Sequence, residues 1–185
     1  MTLCNESEVN GEHGNYLVKG SATENALIYL GINTGIDIVS LKQTYPLLKI
    51  NQRSQDRNYM TSLHPTPNGE KLVAVKGSPT EVLAMCTWQL KDGKILALSD
   101  SERLTLDMKN DRMAGNGLRV LAAAYLIDHT TDIEDREDLI WLALVGMKDP
   151  IRNGVKQLMG EFHQAGIDTV MITGDPTSTA YAIAK

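Results

Sequence analysis

Lys76, Gly77 and Ser78 stand between an apolar run, Leu72, Val73, Ala74 and Val75, and a second one opening at Val82 and Leu83. The pattern predicts strand, tight turn and helix. Gly77 permits the turn, while Ser78, Pro79 and Glu81 supply an N-cap, a first-turn proline and a capping-box glutamate. Such a junction turns backbone N–H groups outward at the end of the strand, and a lysine beside them adds fixed positive charge, which suits an anionic ligand such as a phosphate. The same residues equally suit a well-capped helix with an exposed lysine, and spacing alone does not separate the two. Lys19, Gly20, Ser21, Ala22, Thr23 and Glu24 nearly repeat the motif after the apolar Tyr16, Leu17 and Val18. Two copies are too few for a solenoid and read as one capping solution used twice.

The elements that must position these residues follow from punctuation. Residues 1 to 15 are polar and read as ragged, and the helix after Ser21 is expected to turn Ala26, Leu27 and Leu30 inward. Asn68 and Gly69 predict a hairpin into residues 71–75, and Asp92 and Gly93 predict another, flanked by 87–90 and 95–98. Ser99 and Glu102 form a capping box for a helix closing at Gly115, Asn116 and Gly117. Residues 118–127 and 139–146 read as strands, with an acidic, turn-like run between them. After Asp149 and Pro150 the grammar changes. Val155, Leu158, Met159 and Phe162 keep helical spacing, Gly166 stops that helix, and 167–173 read as a buried strand turning at Gly174 and Asp175 into a last helix. The expected fold is α+β, an antiparallel sheet flanked by helices over residues 1–148, followed by a short doubly wound α/β fragment over 149–185.

Composition narrows the function. The chain has 185 residues and a formal net charge of -5, with 5% aromatic residues and no basic run, so nucleic acid is excluded as a partner. The apolar runs at 122–127 and 139–147 are far shorter than the roughly 20 residues of a membrane helix, so no direct membrane contact is expected. Cys4 and Cys86 are too few and too far apart for a disulfide framework or a metal site, and the four histidines share no ligand spacing.

Four stretches together resemble the P-type cation-transporting ATPases: Leu3, Cys4 and Asn5; Lys76 to Pro79 with Cys86 following; Asp149, Pro150, Ile151 and Arg152; and Met171, Ile172, Thr173, Gly174 and Asp175. The segments around Gly20 and around Gly117, Leu118 and Arg119 are also similar to that family. The resemblance implies a nucleotide-binding domain over 1–148 and a piece of the phosphorylation domain over 149–185, as a monomeric cytoplasmic part of an integral membrane protein. It implies ATP as ligand, magnesium arriving with ATP, and the remaining domains of the same pump as partners.

Carried over residue by residue, the implied nucleotide pocket is Glu24, Arg53, Asn58, Lys76, Gly77 and Arg119. Arg53 stands where the family places an adenine-stacking phenylalanine, two residues before Gln55, and Asn58 stands where it places a pocket lysine. Thr173, Gly174 and Asp175 are implied to approach the γ-phosphate in the intact enzyme, and Asp149 and Arg152 to mark an interdomain hinge. The family's phosphorylated aspartate segment and its later glycine, aspartate, glycine segment do not occur in the 185 residues. No catalytic residue and no metal ligand is therefore assigned, and the chain is expected to be inactive alone. The alternative is a non-catalytic interaction domain whose nucleotide pocket has decayed. A free-standing phosphatase of the dehalogenase-like type lacks its nucleophilic aspartate here.

Overall fold

The computed structural model describes residues 1–12, 15–129, 133, 136–148, 153–173 and 180–181. Strands β1 (Glu8–Glu12) and β2 (Asn15–Lys19) form a two-stranded antiparallel hairpin, followed by helices α1 (Ala22–Asn33) and α2 (Ile38–Thr44). Then come β3 (Lys49–Asn51), β4 (Tyr59–Pro65), β5 (Lys71–Gly77), α3 (Pro79–Ala84), β6 (Cys86–Lys91), β7 (Lys94–Ala97), α4 (Asp100–Gly115), β8 (Arg119–Asp128), β9 (Leu139–Met147) and α5 (Val155–Gln164). The sheet order is β3-β4-β5-β8-β9-β6-β7.

The turns that organise this sheet are those the residue types demand. Gly69 has φ +84° between β4 and β5, and Asp92 and Gly93 have φ 51° and 74° between β6 and β7, the left-handed pair of a two-residue hairpin. The capping box at Ser99 is complete: its Oγ accepts from Glu102 N, and the Glu102 carboxylate accepts from Ser99 N at 3.2 Å. The mixed α+β class with helices against a sheet is as expected, with one departure from an all-antiparallel ladder. β6 runs parallel to β9, while every other strand pair among the described residues is antiparallel.

Strand parity explains the position of the site. On β5, Val73 and Val75 point into the main core with Val82, Leu83, Ala122, Ala124 and Trp141. Ala74 and Lys76 therefore point to the other face, where Ala74 packs with Cys4 and Met60. In register with Lys76 lie Met60 on β4 and Ala123 on β8, so Leu121 and Arg119 continue along the same face. That face is covered by the N-terminal unit, whose core is Val18, Ile28 and Ile38.

Several expectations change. Residues 8–12 are a strand rather than ragged, and Cys4 is fully buried, its thiol donating to Met60 O at 3.4 Å. On α1, Leu27, Ile28 and Gly31 face inward while Ala26 and Leu30 are exposed, because the small hairpin covers a different stripe. Helix α2 is additional, capped by Asp37, whose carboxylate accepts from Val39 N and Ser40 N. Near the end of the chain, α5 forms and stops at Gly166 (φ +75°) but buries none of its residues. Residues 167–173 make no strand. No neighbouring strand stands beside them among the described residues, and Val170 and Ile172 are 84% and 95% exposed.

Candidate functional site

A cavity of about 450 Å³ opens between the sheet face and the N-terminal unit. Glu24, Arg53, Asn58, Lys76, Gly77 and Arg119, the six residues of the implied pocket, all line it, together with Glu6, the first turn of α1, Tyr59, Met60 and Leu121. The volume lies in the range of small-molecule sites. Three cationic and two anionic side chains converge on it, against an apolar wall of Met60 and Leu121.

The two hexapeptide copies meet at this cavity. Lys76 is not an exposed strand-end charge: its side chain is 5% exposed, and its Nζ donates to both oxygens of Glu24, 13% exposed, at 2.5 Å. The pair is held in register from outside, since Glu24 Oε2 also accepts from Glu6 N at 3.0 Å and Asn5 Nδ2 donates to Glu24 O at 3.0 Å. Ser21 Oγ accepts from Glu24 N at 3.3 Å, yet the Glu24 carboxylate reaches to Lys76. A buried ion pair of this kind is stable only while both partners are present.

Gly77 is required by close approach. A Cβ there would stand 2.4 Å from Tyr59 Cα and 2.5 Å from Asn58 O. Ser78 makes no side-chain cap, so the expected capping box with Glu81 is absent. Glu81 instead accepts from Asn58 N at 2.9 Å and from Asn58 Nδ2 at 2.7 Å, while Ser78 N donates to Asn58 O at 2.9 Å. Asn58 thus lines the cavity as a tethered residue. Arg53 and Arg119 are exposed on its rim.

Two further polar groups, His64 on β4 and Lys42 on α2, escaped sequence reasoning. His64 is buried, with Nδ1 at 2.9 Å from Tyr45 O and Nε2 at 2.9 Å from Ser62 Oγ. A carbonyl can only accept, so Nδ1 carries the proton and the neutral ring accepts from Ser62. Burial lowers the pKa of His64. Lys42, whose Nζ donates to Ser7 O at 2.8 Å, is likewise shifted down by burial. Cys4 and Cys86 are shifted up by burial, Cys86 to about 12, so both stay protonated thiols.

Thr173 is exposed and does not line the cavity. Gly174, Asp175, Asp149 and Arg152 lie outside the described residues. Among the described residues no group of three or more His, Cys, Asp or Glu could hold a metal, and no helix is long and apolar enough to cross a membrane.

Residues 1–154 match the family described as P-type ATPase, cytoplasmic domain N. The chain is 35% identical over its full length to calcium-transporting ATPase 1 of Lactococcus lactis, covering 21% of that protein. It is 34% identical to calcium-transporting ATPase 1 of Bacillus cereus, with 100% of the chain and 21% of the relative covered. Against the cation-transporting ATPase pma1 of Synechocystis it is 36% identical, with 99% of the chain and 20% of the relative covered. The chain thus spans about a fifth of the length of these relatives. With a mixed sheet flanked by helices and a match along most of its length, it belongs to the P-type ATPases, as their cytoplasmic domain N.

Proposed function

We propose that the cavity binds ATP and presents its γ-phosphoryl group for transfer to an aspartate outside these 185 residues, in a pump that moves a cation. Calcium is the ion for which the Lactococcus and Bacillus relatives are named. The observation that carries this reading is the convergence of Arg53, Lys76 and Arg119, from three separate segments, on a cavity with an apolar wall. The Met60 and Leu121 side suits a purine, and with Lys76 balanced by Glu24 and Arg53 over the base, Arg119 suits a polyphosphate. Positioning and charge neutralisation are the main requirements of phosphoryl transfer.

Magnesium would come with the nucleotide. The cavity's own carboxylates are engaged, Glu24 by Lys76 and Glu6 by Gln52 Nε2. Residues 1–148 would act as the nucleotide-binding unit and 149–185 as part of the phosphorylation domain, with Asp149 and Arg152 at the hinge. Thr173, Gly174 and Asp175 would approach the γ-phosphate there. The chain works as a monomer beside the other domains of its pump and does not hydrolyse ATP alone.

Arg53 would lie on the adenine face, its planar guanidinium attracted to the ring. Base stacking on an aromatic side chain is worth roughly 1–3 kcal/mol, so a pocket with arginine there binds weakly, with a dissociation constant on the order of a millimolar, about 4 kcal/mol. Calorimetric titration tests this: Arg53→Phe tightens ATP binding and Arg53→Ala weakens it. An Arg53→Ala protein that binds like the parent would show that Arg53 does not touch the base, and absence of binding in the parent would favour the decayed-pocket alternative.

A further inference from the structure

We propose that Glu81 is the positioning residue of the cavity's open side, fixing the loop 52–58 and, through it, the place of Arg53 over a bound base. The proposal rests on the ATP-binding reading and adds to it the residue on which base contact depends.

The loop has little core of its own, since residues 52–56 and 58 are exposed and Arg57 is half-buried. Its order comes from polar ties at both ends. Within it, Ser54 and Arg57 pair through their backbones, with Ser54 N donating to Arg57 O at 2.9 Å, and Arg57 Nη2 donates to Gln52 O at 2.7 Å. The Arg57 guanidinium stands 5.5 Å from the centre of the Tyr59 ring. This makes residues 52–57 a small closed unit carrying Arg53 on the cavity rim. The unit's far end is anchored at Asn58, whose backbone N–H and Nδ2 donate to the two oxygens of the Glu81 carboxylate at 2.9 and 2.7 Å. Two donors facing two charged acceptors define both position and orientation. Ser78 N, donating to Asn58 O, also fixes the backbone at this end, and Gln52 Nε2, donating to Glu6 between exposed side chains, ties the near end of the loop.

Glu81 is thus the counterpart of Glu24: each leaves the start of its own helix to hold another wall of the cavity, Glu24 through Lys76 and Glu81 through Asn58. Glu81 does not line the cavity and acts through Arg53.

The test is a titration of the 185-residue chain with ATP and with inorganic tripolyphosphate, followed by amide shifts, alongside hydrogen exchange of residues 52–58. Glu81→Ala should weaken ATP about five-fold or more, the scale of coupling between neighbouring groups, leave tripolyphosphate unchanged, and speed exchange in the loop. Glu81→Gln, which keeps an acceptor for Asn58 N, should fall between. The double variant Glu81→Ala/Arg53→Ala should bind ATP no more weakly than Arg53→Ala alone. Additive losses, equal weakening of tripolyphosphate, or parent-like ATP binding by Glu81→Ala would each overturn the role of Glu81 while leaving ATP binding by the parent intact. A parent that binds no ATP removes both readings.

Discussion

The hexapeptide at 19–24 and its near copy at 76–81 share five of six residues and share almost none of their contacts. In the first, Lys19 and Gly20 are exposed, Ser21 caps α1, and Glu24 crosses to the sheet. In the second, Lys76 is buried, Gly77 is pressed against Tyr59, Ser78 caps nothing through its side chain, and Glu81 holds a loop. Identical local chemistry therefore has its role assigned by what the sheet brings alongside. The β5 copy sits in mid-sheet with both faces covered, and the β2 copy ends a two-stranded hairpin.

The sharpest way to break this comparison is to remove each lysine in turn. Lys76→Ala strands Glu24 without its cation and should cost roughly 3–5 kcal/mol, the usual loss on breaking a buried pair, whereas Lys19→Ala should stay within about 0.5 kcal/mol. Lys76 is therefore a residue on which stability depends, not the exposed lysine that its spacing equally suits. Urea denaturation measures both, and equal losses would sink the contrast. The glycines come next. Gly77→Ala drives a Cβ into strand backbone and should cost roughly 1–3 kcal/mol, while at Gly20 the nearest atoms to an added Cβ belong to the side chains of Ser7 and Asn25, so Gly20→Ala should cost less. The serines sharpen the contrast further. Ser21→Ala removes a cap and should cost about 1 kcal/mol, but Ser78→Ala only a few tenths. A larger loss at Ser78 would contradict the cap assignment.

The smallest effect is a pH dependence on the same sheet face. His64 is held neutral, so its folded pKa lies below the unfolded value of about 6.5. Its contribution is fully present above that value. It is lost as pH falls toward the lower folded pKa, because the unfolded chain takes up the proton first. Thermal melts should show Tm falling from pH 7 to pH 5, and a His64→Gln protein should show a flatter profile over that interval. An unchanged slope would place the dependence on other groups.

Much of this architecture is legible in residue types. Asn68 with Gly69, Asp92 with Gly93, and Ser99 with Glu102 each dictate a local geometry, and each forms it. What escapes has no local signature. In β1 only Val9 is strongly apolar, so its strand character comes from pairing with β2. The parallel β6–β9 contact joins residues some fifty apart, and His64 looks like any polar residue until α2 covers it. The site divides in the same way. The six residues of the implied pocket follow from motif resemblance, and all of them line one cavity. The contacts that hold Lys76 and Asn58 span 52 and 23 positions, and no periodicity encodes such partners.

The sheet order has a consequence for how the chain is made. β3, β4 and β5 form one local meander and β6 with β7 another, and only β8 and β9 join them. During synthesis β5 therefore keeps an unpaired edge until β8 has emerged through Asp128, and β6 keeps one until β9 has emerged through Trp141. At roughly 5–20 residues per second, the 51 positions from Gly77 to Asp128 impose a delay of several seconds on the β5 edge. Loss of β9 would leave β8 and β6 with open edges for good, so a nascent chain stalled before Leu139 is a substrate for chaperones or for aggregation rather than a shortened domain.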